Sequence, residues 1–157
     1  MFDLLHYCDR IVIPYKPRAM VVYEGDNDVS KGVGPEEIRD TFRRLVKRVH
    51  QNLPETRIYM LAIKPSYKRR EMWSTMKEAN RLLAEECAQD SRLHFVDIAK
   101  PLLDAEDKAR RDLFVEDDLH LNRAGYKRLR DALRPVLMEV ELPYEKAGAK
   151  ATSAADR

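Results

Sequence analysis

At 157 residues the chain is long enough for one domain with a buried core, and its 44% hydrophobic and 36% charged residues exclude the disordered and collagen-like classes. The 29 Lys+Arg against 27 Asp+Glu leave a net charge of +2, too even a balance to argue for nucleic acid or an anionic membrane as partner. Cys8 and Cys87 lack CxxC or metal-ligand spacing and read as buried thiols, so neither a disulfide framework nor a metal or other cofactor is expected. No window approaches the ~18 apolar residues of a membrane span, and Met1 to Arg10 lacks a signal-peptide pattern; the expectation is a soluble chain without a membrane span, cytoplasmic by default.

Leu4 to Ile13 offers a short helix-like piece, followed by Ala19 to Tyr23, an apolar run that reads as a buried strand. Gly34-Pro35-Glu36-Glu37 places proline at the first helical position and acids in the first turn, so a helix opens there. Its residues Ile38, Phe42, Leu45, Val46 and Val49 form one stripe, and Asn52 to Pro54 closes it. Ile58 to Ile63 is a second strand. Met72, Met76, Leu83 and Cys87 then mark a second amphipathic helix of about five turns. Leu93 to Ile98 is the third strand. Asn122 is a good N-cap for a last helix through Tyr126, Leu129, Leu133, Leu137 and Val140, with a kink expected at Pro135.

Strands alternating with helices predict a parallel sheet in a three-layer α/β/α sandwich spanning 1–142, with 143–157 a disordered tail. A doubly wound sheet usually has about five or six strands, so three leave it short of its first strand or strands. Such an edge exposes backbone donors and acceptors, which makes homo-oligomerisation through it an expectation. The runs Lys68-Arg69-Arg70 and Arg110-Arg111 read as solvated loop or helix-end charge.

Open α/β sheets bind ligands beyond the carboxyl ends of their strands, which directs attention to two segments. In Tyr23-Glu24-Gly25-Asp26-Asn27-Asp28 a strand runs into polar residues around one glycine. That is either an ordinary strand-ending turn or a loop in which Gly25 lets the backbone approach a ligand and Asn27 offers an amide donor, as an oxyanion hole requires. In Asp117-Asp118-Leu119-His120-Leu121-Asn122 an aspartate lies three residues ahead of a histidine. That spacing fits a general-base pair, and equally an acidic loop before a helix with an incidental histidine. His6, His50 and His94 read as structural or exposed.

Gly25-Asp26-Asn27-Asp28 resembles the GxND block of the SGNH hydrolase (GDSL-type esterase/lipase) family, and Asp117 to Tyr126 resembles its closing DxxH block about 90 residues downstream. Ile63-Lys64-Pro65-Ser66 is similar to the family's post-strand loop. The resemblance implies a flavodoxin-like sandwich that hydrolyses a small-molecule ester through a serine acyl-enzyme, without a cofactor. It also implies roles: His120 as general base, Asp117 as its orienting partner, Asn27 as oxyanion donor and Gly25 as shaper of that loop. Where the family often has glycine, this chain has Asp118, a carboxylate that would raise the histidine pKa if it pointed inward. The family's GDS-like nucleophile block and its second oxyanion block have no counterpart. Of the five serines, Ser30, Ser66, Ser74, Ser91 and Ser153, Ser66 alone follows a strand and is a weak nucleophile candidate. The chain is therefore expected to resemble a truncated, impaired hydrolase. Two alternatives stand beside it: a non-catalytic ester- or sugar-binding pseudoenzyme module, and a phosphoesterase using Asp26, Asp28, Asp117, Asp118 and His120 as hard-metal ligands.

Overall fold

A computed structural model describes the backbone of residues 1–155 and the side chains of 1–145. Strand β1 (Ala19–Val22), strand β2 (Arg57–Leu61) and strand β3 (Leu93–Val96) pair in parallel in the order β1-β2-β3, with Ala19 opposite Arg57 and Ile58 opposite Leu93. β2, buried along its whole length, is the central strand, and its alternation divides the core. Ile58 and Met60 point to one face, where α1 (Phe2–Ile11), α3 (Pro35–Asn52) and α4 (Trp73–Cys87) pack. Tyr59 and Leu61 point to the other, covered by Leu129, Leu133, Leu137 and Val140 of α5 (Arg123–Ala155). The result is the three-layer α/β/α sandwich.

The predicted strands stand within one or two residues of the observed ones. Ile38, Phe42, Leu45 and Val49 are fully buried, as their spacing requires. Both cysteines are buried free thiols, and desolvation pushes the Cys87 thiol up to about 12. Three details differ from expectation. α4 is 15 residues long, nearer four turns than five, because Arg70–Met72 form a separate tighter turn ahead of it. Asp26–Ser30 form a five-residue helix, α2, in place of a loop. α5 runs on through Pro135 and Pro143, so residues 143–145 continue it, and Glu145 pairs with Arg18 at 2.6 Å. The rest of the expected tail, 146–157, lies outside the residues whose side chains are described.

α5 starts where its cap dictates. Asn122 Oδ1 accepts the N–H groups of Ala124 (2.9 Å) and Gly125 (3.1 Å), two donors that the first turn otherwise leaves unpaired. Asn122 Nδ2 donates to the carbonyls of Asp112 and Phe114, which ties the helix start to the preceding segment. A Cβ on Gly125 would run into the Leu113 carbonyl oxygen and the Leu121 side chain. Gly125→Ala should therefore lower the unfolding free energy by about 1–2 kcal/mol, read as a shift in urea midpoint at unchanged slope.

Candidate active site

The carboxyl ends of β1 and β2 and the start of α5 enclose a cleft of about 170 Å³ lined by Gly25, Asp26, Asn27, Lys64, His120 and Tyr126 among others. The two segments singled out in the sequence thus converge on one space, although 90 residues separate Asn27 from Asp117. Ser66 does not line this cleft. It is 2% exposed, and its Oγ accepts the Arg69 N–H at 3.2 Å, so the serine closes its own loop.

The DxxH turn is built around one carboxylate. Asp117 Oδ1 accepts the backbone N–H groups of Leu119 and His120, each at 2.9 Å, while Oδ2 lies 2.5 Å from His120 Nδ1. The imidazole hydrogen bond first, then the two backbone donors, hold the Asp117 carboxyl well below the usual carboxylate range. An ionised carboxylate can only accept, so Nδ1 carries the hydrogen, and in the neutral ring Nε2 is then the nitrogen with the lone pair. Nε2 makes no hydrogen bond among the described residues, and the His120 side chain is 69% exposed. This is the geometry of an oriented base open to an incoming proton donor.

Asp118 is turned to Arg111 rather than to the imidazole, so the condition for its raising the histidine pKa is not met. It sits at φ 56°, a left-handed conformation that aspartate adopts more readily than most side chains. Its carboxylate turns away to Arg111, which it meets through both oxygens at 2.9 and 3.0 Å, and its carbonyl accepts the Lys68 N–H at 3.0 Å. The backbone angle points the side chain out of the cleft, and Arg111 fixes it there.

On the opposite wall, Gly25 has φ 112° and caps α2, where its carbonyl accepts the Val29 N–H at 2.9 Å. A side chain there would meet strain from the backbone angle and the Ile63 side chain in the same place. Asn27 stands in the first turn of α2. Its Oδ1 accepts from Arg69 Nη2 at 3.1 Å, which turns the amide so that its Nδ2 donors are left over, and they meet no acceptor among the described residues.

Two cationic residues that sequence reasoning left unassigned hold these walls together. Lys64, 5% exposed, donates from Nζ to Asp26 Oδ2 (3.3 Å) and to the Leu119 carbonyl (2.9 Å), bridging the GxND and DxxH blocks. Arg69, expected as a solvated charge, instead folds inward and meets Asp26 Oδ1 at 2.5 Å. The available signal was a lysine directly after a continuously buried strand, where an unpaired charge could not stay. The same pairings dispose of the metal reading. Asp26 faces two cations and Asp118 a third, and among the described residues no three His, Cys, Asp or Glu side chains converge as a metal site.

The remaining histidines do not line the cleft, and His6 is exposed. His50 Nε2 lies 3.0 Å from the Thr56 carbonyl, and His94 stacks on Tyr59 with 4.8 Å between ring centres. Among the described residues no helix is long and apolar enough to cross a membrane.

A parallel α/β sandwich with an Asp–His pair before its last helix and an Asn-bearing turn after β1 defines an SGNH-type fold. The chain belongs to the GDSL-like Lipase/Acylhydrolase family, whose pattern matches residues 2–128. No curated protein sequence matches. Among solved structures it is similar to a G-D-S-L family protein from Desulfitobacterium hafniense DCB-2, at 20% identity and TM-score 0.74, covering 87% of this chain and 74% of that one. It is also similar to an acetylxylan esterase from Geobacillus stearothermophilus, at 22% identity and TM-score 0.68, covering 83% and 64%. A Streptococcus pneumonia protein provisionally described as a platelet activating factor matches at 23% identity and TM-score 0.66, covering 76% of this chain. The chain spans 59% of the length of that last protein.

Proposed function

We propose that this chain carries the acid–base half of a serine ester hydrolase. The observation that supports it is the 2.5 Å contact between Asp117 and His120 Nδ1, made by a carboxylate already fixed by two backbone donors and leaving Nε2 free over the cleft. In this reading His120 takes the proton from the attacking hydroxyl and returns it to the leaving alcohol. Asp117 holds the ring and stabilises the imidazolium. Asn27 Nδ2 donates to the oxyanion of the tetrahedral intermediate, from a turn that Gly25 shapes.

No serine is among the described residues that line the cleft, so in this reading the nucleophile belongs on a segment added beside β1. The far side of β1 is unpaired among the described residues, with Val21 (45%) and Tyr23 (40%) exposed along it. That edge would take either such a segment or a second copy of the chain. Without it, His120 activates water directly, and hydrolysis is slow.

Hydrolysis of p-nitrophenyl acetate by this chain tests the proposal. The expected result is a slow rate above buffer that Ser66→Ala leaves unchanged and His120→Ala abolishes. A turnover of 1 per second or faster, roughly the ordinary enzyme range, that disappears in Ser66→Ala would overturn it, as would a rate indifferent to His120→Ala.

A further inference from the structure

Lys64 is held along its whole length. Its root is fixed from α4, where Asn80 Oδ1 accepts the Ile63 N–H at 2.7 Å and Asn80 Nδ2 donates to the Ile63 carbonyl, part of the peptide into Lys64, at 2.9 Å. Its side chain is 7% exposed, and its Nζ ends 2.9 Å from the Leu119 carbonyl and 3.3 Å from Asp26 Oδ2. A lysine held in this way gives up both rotamer freedom and the hydration of its charge, so something must account for its presence.

The Leu119 carbonyl belongs to the same peptide as the His120 N–H. That peptide is therefore held at both ends, its N–H by Asp117 Oδ1 at 2.9 Å and its C=O by Lys64. A peptide unit is planar, so fixing both groups fixes the direction in which His120 leaves the backbone. The bonds from the Asp118 N–H to the Val115 carbonyl and from the Val115 N–H to the His120 carbonyl stay within the turn, and Lys68 and Arg111 hold Asp118. Among the described residues Lys64 is the side chain that bonds both walls of the cleft. On the far wall it meets Asp26, which precedes Asn27 and shares Arg69 with it, Arg69 Nη2 lying 3.1 Å from Asn27 Oδ1.

Stability does not account for the lysine. Without it Asp26 keeps Arg69 as partner, and methionine would fill the same space with apolar atoms, a kind of replacement that buried ion pairs often tolerate without loss. Position does account for it, since a misplacement of about 1 Å costs up to roughly 10²-fold in rate.

We propose that Lys64 is a positioning residue: its ammonium sets the separation between the base His120 and the oxyanion donor Asn27. The consequence for rate rests on the ester-hydrolase reading; the consequence for the His120 ring does not.

Lys64→Met tests this. The His120-dependent rate on p-nitrophenyl acetate should fall at least tenfold, in kcat with KM unchanged, while the urea midpoint stays where it was. Lys64→Arg, which keeps a donor for the Leu119 carbonyl, should regain at least a third of the wild-type rate. Lys64→Met combined with His120→Ala should be no slower than His120→Ala alone. Independently of turnover, long-range proton–nitrogen NMR spectra of the neutral imidazole should show the Nδ1–H tautomer in the wild type and in Lys64→Arg, and a mixture of tautomers in Lys64→Met. A wild-type imidazole spectrum in Lys64→Met overturns the proposal. So does a lowered urea midpoint or loss of folding in that variant, which would make the lysine structural. Hydrolysis that depends on His120 but not on Lys64 removes only this proposal, whereas hydrolysis indifferent to His120→Ala removes the hydrolase reading and leaves the imidazole spectrum to decide the role of Lys64.

Discussion

Glu141→Gln should lower the unfolding free energy by about 2 kcal/mol at pH 7 and remove part of the acid sensitivity of the fold. Among the described residues Glu141 is the one acid by which α5 grips the central strand: its two oxygens each lie 2.7 Å from the Arg57 guanidinium, and the Tyr59 hydroxyl donates to it at 2.6 Å. Arg57 and Glu141 side chains are 8% and 14% exposed, so water substitutes poorly for either partner. The Arg57 hydrogen bonds first, then the Tyr59 hydroxyl, bring the Glu141 carboxyl down to about 2 from an ordinary 4.5, against a smaller opposing effect of burial. A carboxyl depressed on folding stabilises fully above its unfolded value and loses that contribution as pH falls through the folded one. The window is therefore pH 4.5 down to about 2. The shift corresponds to on the order of 3 kcal/mol, and the edge position of the pair reduces it toward 2. Urea unfolding of both proteins across pH 2 to 7 checks this. The gap between them should be full at neutral pH and close near pH 2; a gap that stays constant with pH would mean that packing, not charge, supplies the difference.

The alternation of elements and the cap at Asn122 were legible in the sequence because they are set by local rules: strand period, helical stripe, N-cap chemistry. Ile38, Phe42 and Leu45 could be assigned to the core from spacing alone. The DxxH turn was legible for the same reason, since Asp117 and His120 lie close in the chain and the carboxylate needs only its own turn to reach the ring. What escaped was non-local. Lys64 had no role of its own and Arg69 read as a solvated charge until the fold set them against Asp26 and Leu119, 38 to 55 residues away in the chain. The direction of Asp118 depended on a backbone angle and on Arg111, neither of which a motif specifies. The α2 turn was missed because Gly25, Asp26 and Asn27 are turn formers, and a five-residue helix has too few positions to show a period.

Asp117→Asn should lower the His120-dependent rate on the order of 10²-fold while leaving the fold intact. The aspartate has two tasks, and asparagine keeps only one. As an acceptor for the Leu119 and His120 N–H groups, an amide oxygen replaces Oδ1 with little loss, so the turn survives. At the ring, however, Oδ2 becomes an amide NH₂ or leaves that role to the same oxygen that holds the backbone. An NH₂ group facing Nδ1 donates where the carboxylate accepted, which moves the ring hydrogen to Nε2 and occupies the nitrogen that takes the proton in the proposed mechanism. The imidazolium that the proposed mechanism forms also loses its counter-ion. Because the wild-type Asp117 carboxyl is held well below the usual range, it stays ionised throughout the neutral region and its own titration does not shape the rate there. The rates of wild type, Asp117→Asn, His120→Ala and the double variant on p-nitrophenyl acetate form the decisive cycle. If Asp117 acts only through His120, the double variant is no slower than His120→Ala alone. Additive losses would show that Asp117 contributes by another route, and an Asp117→Asn rate equal to wild type would remove the carboxylate from the mechanism.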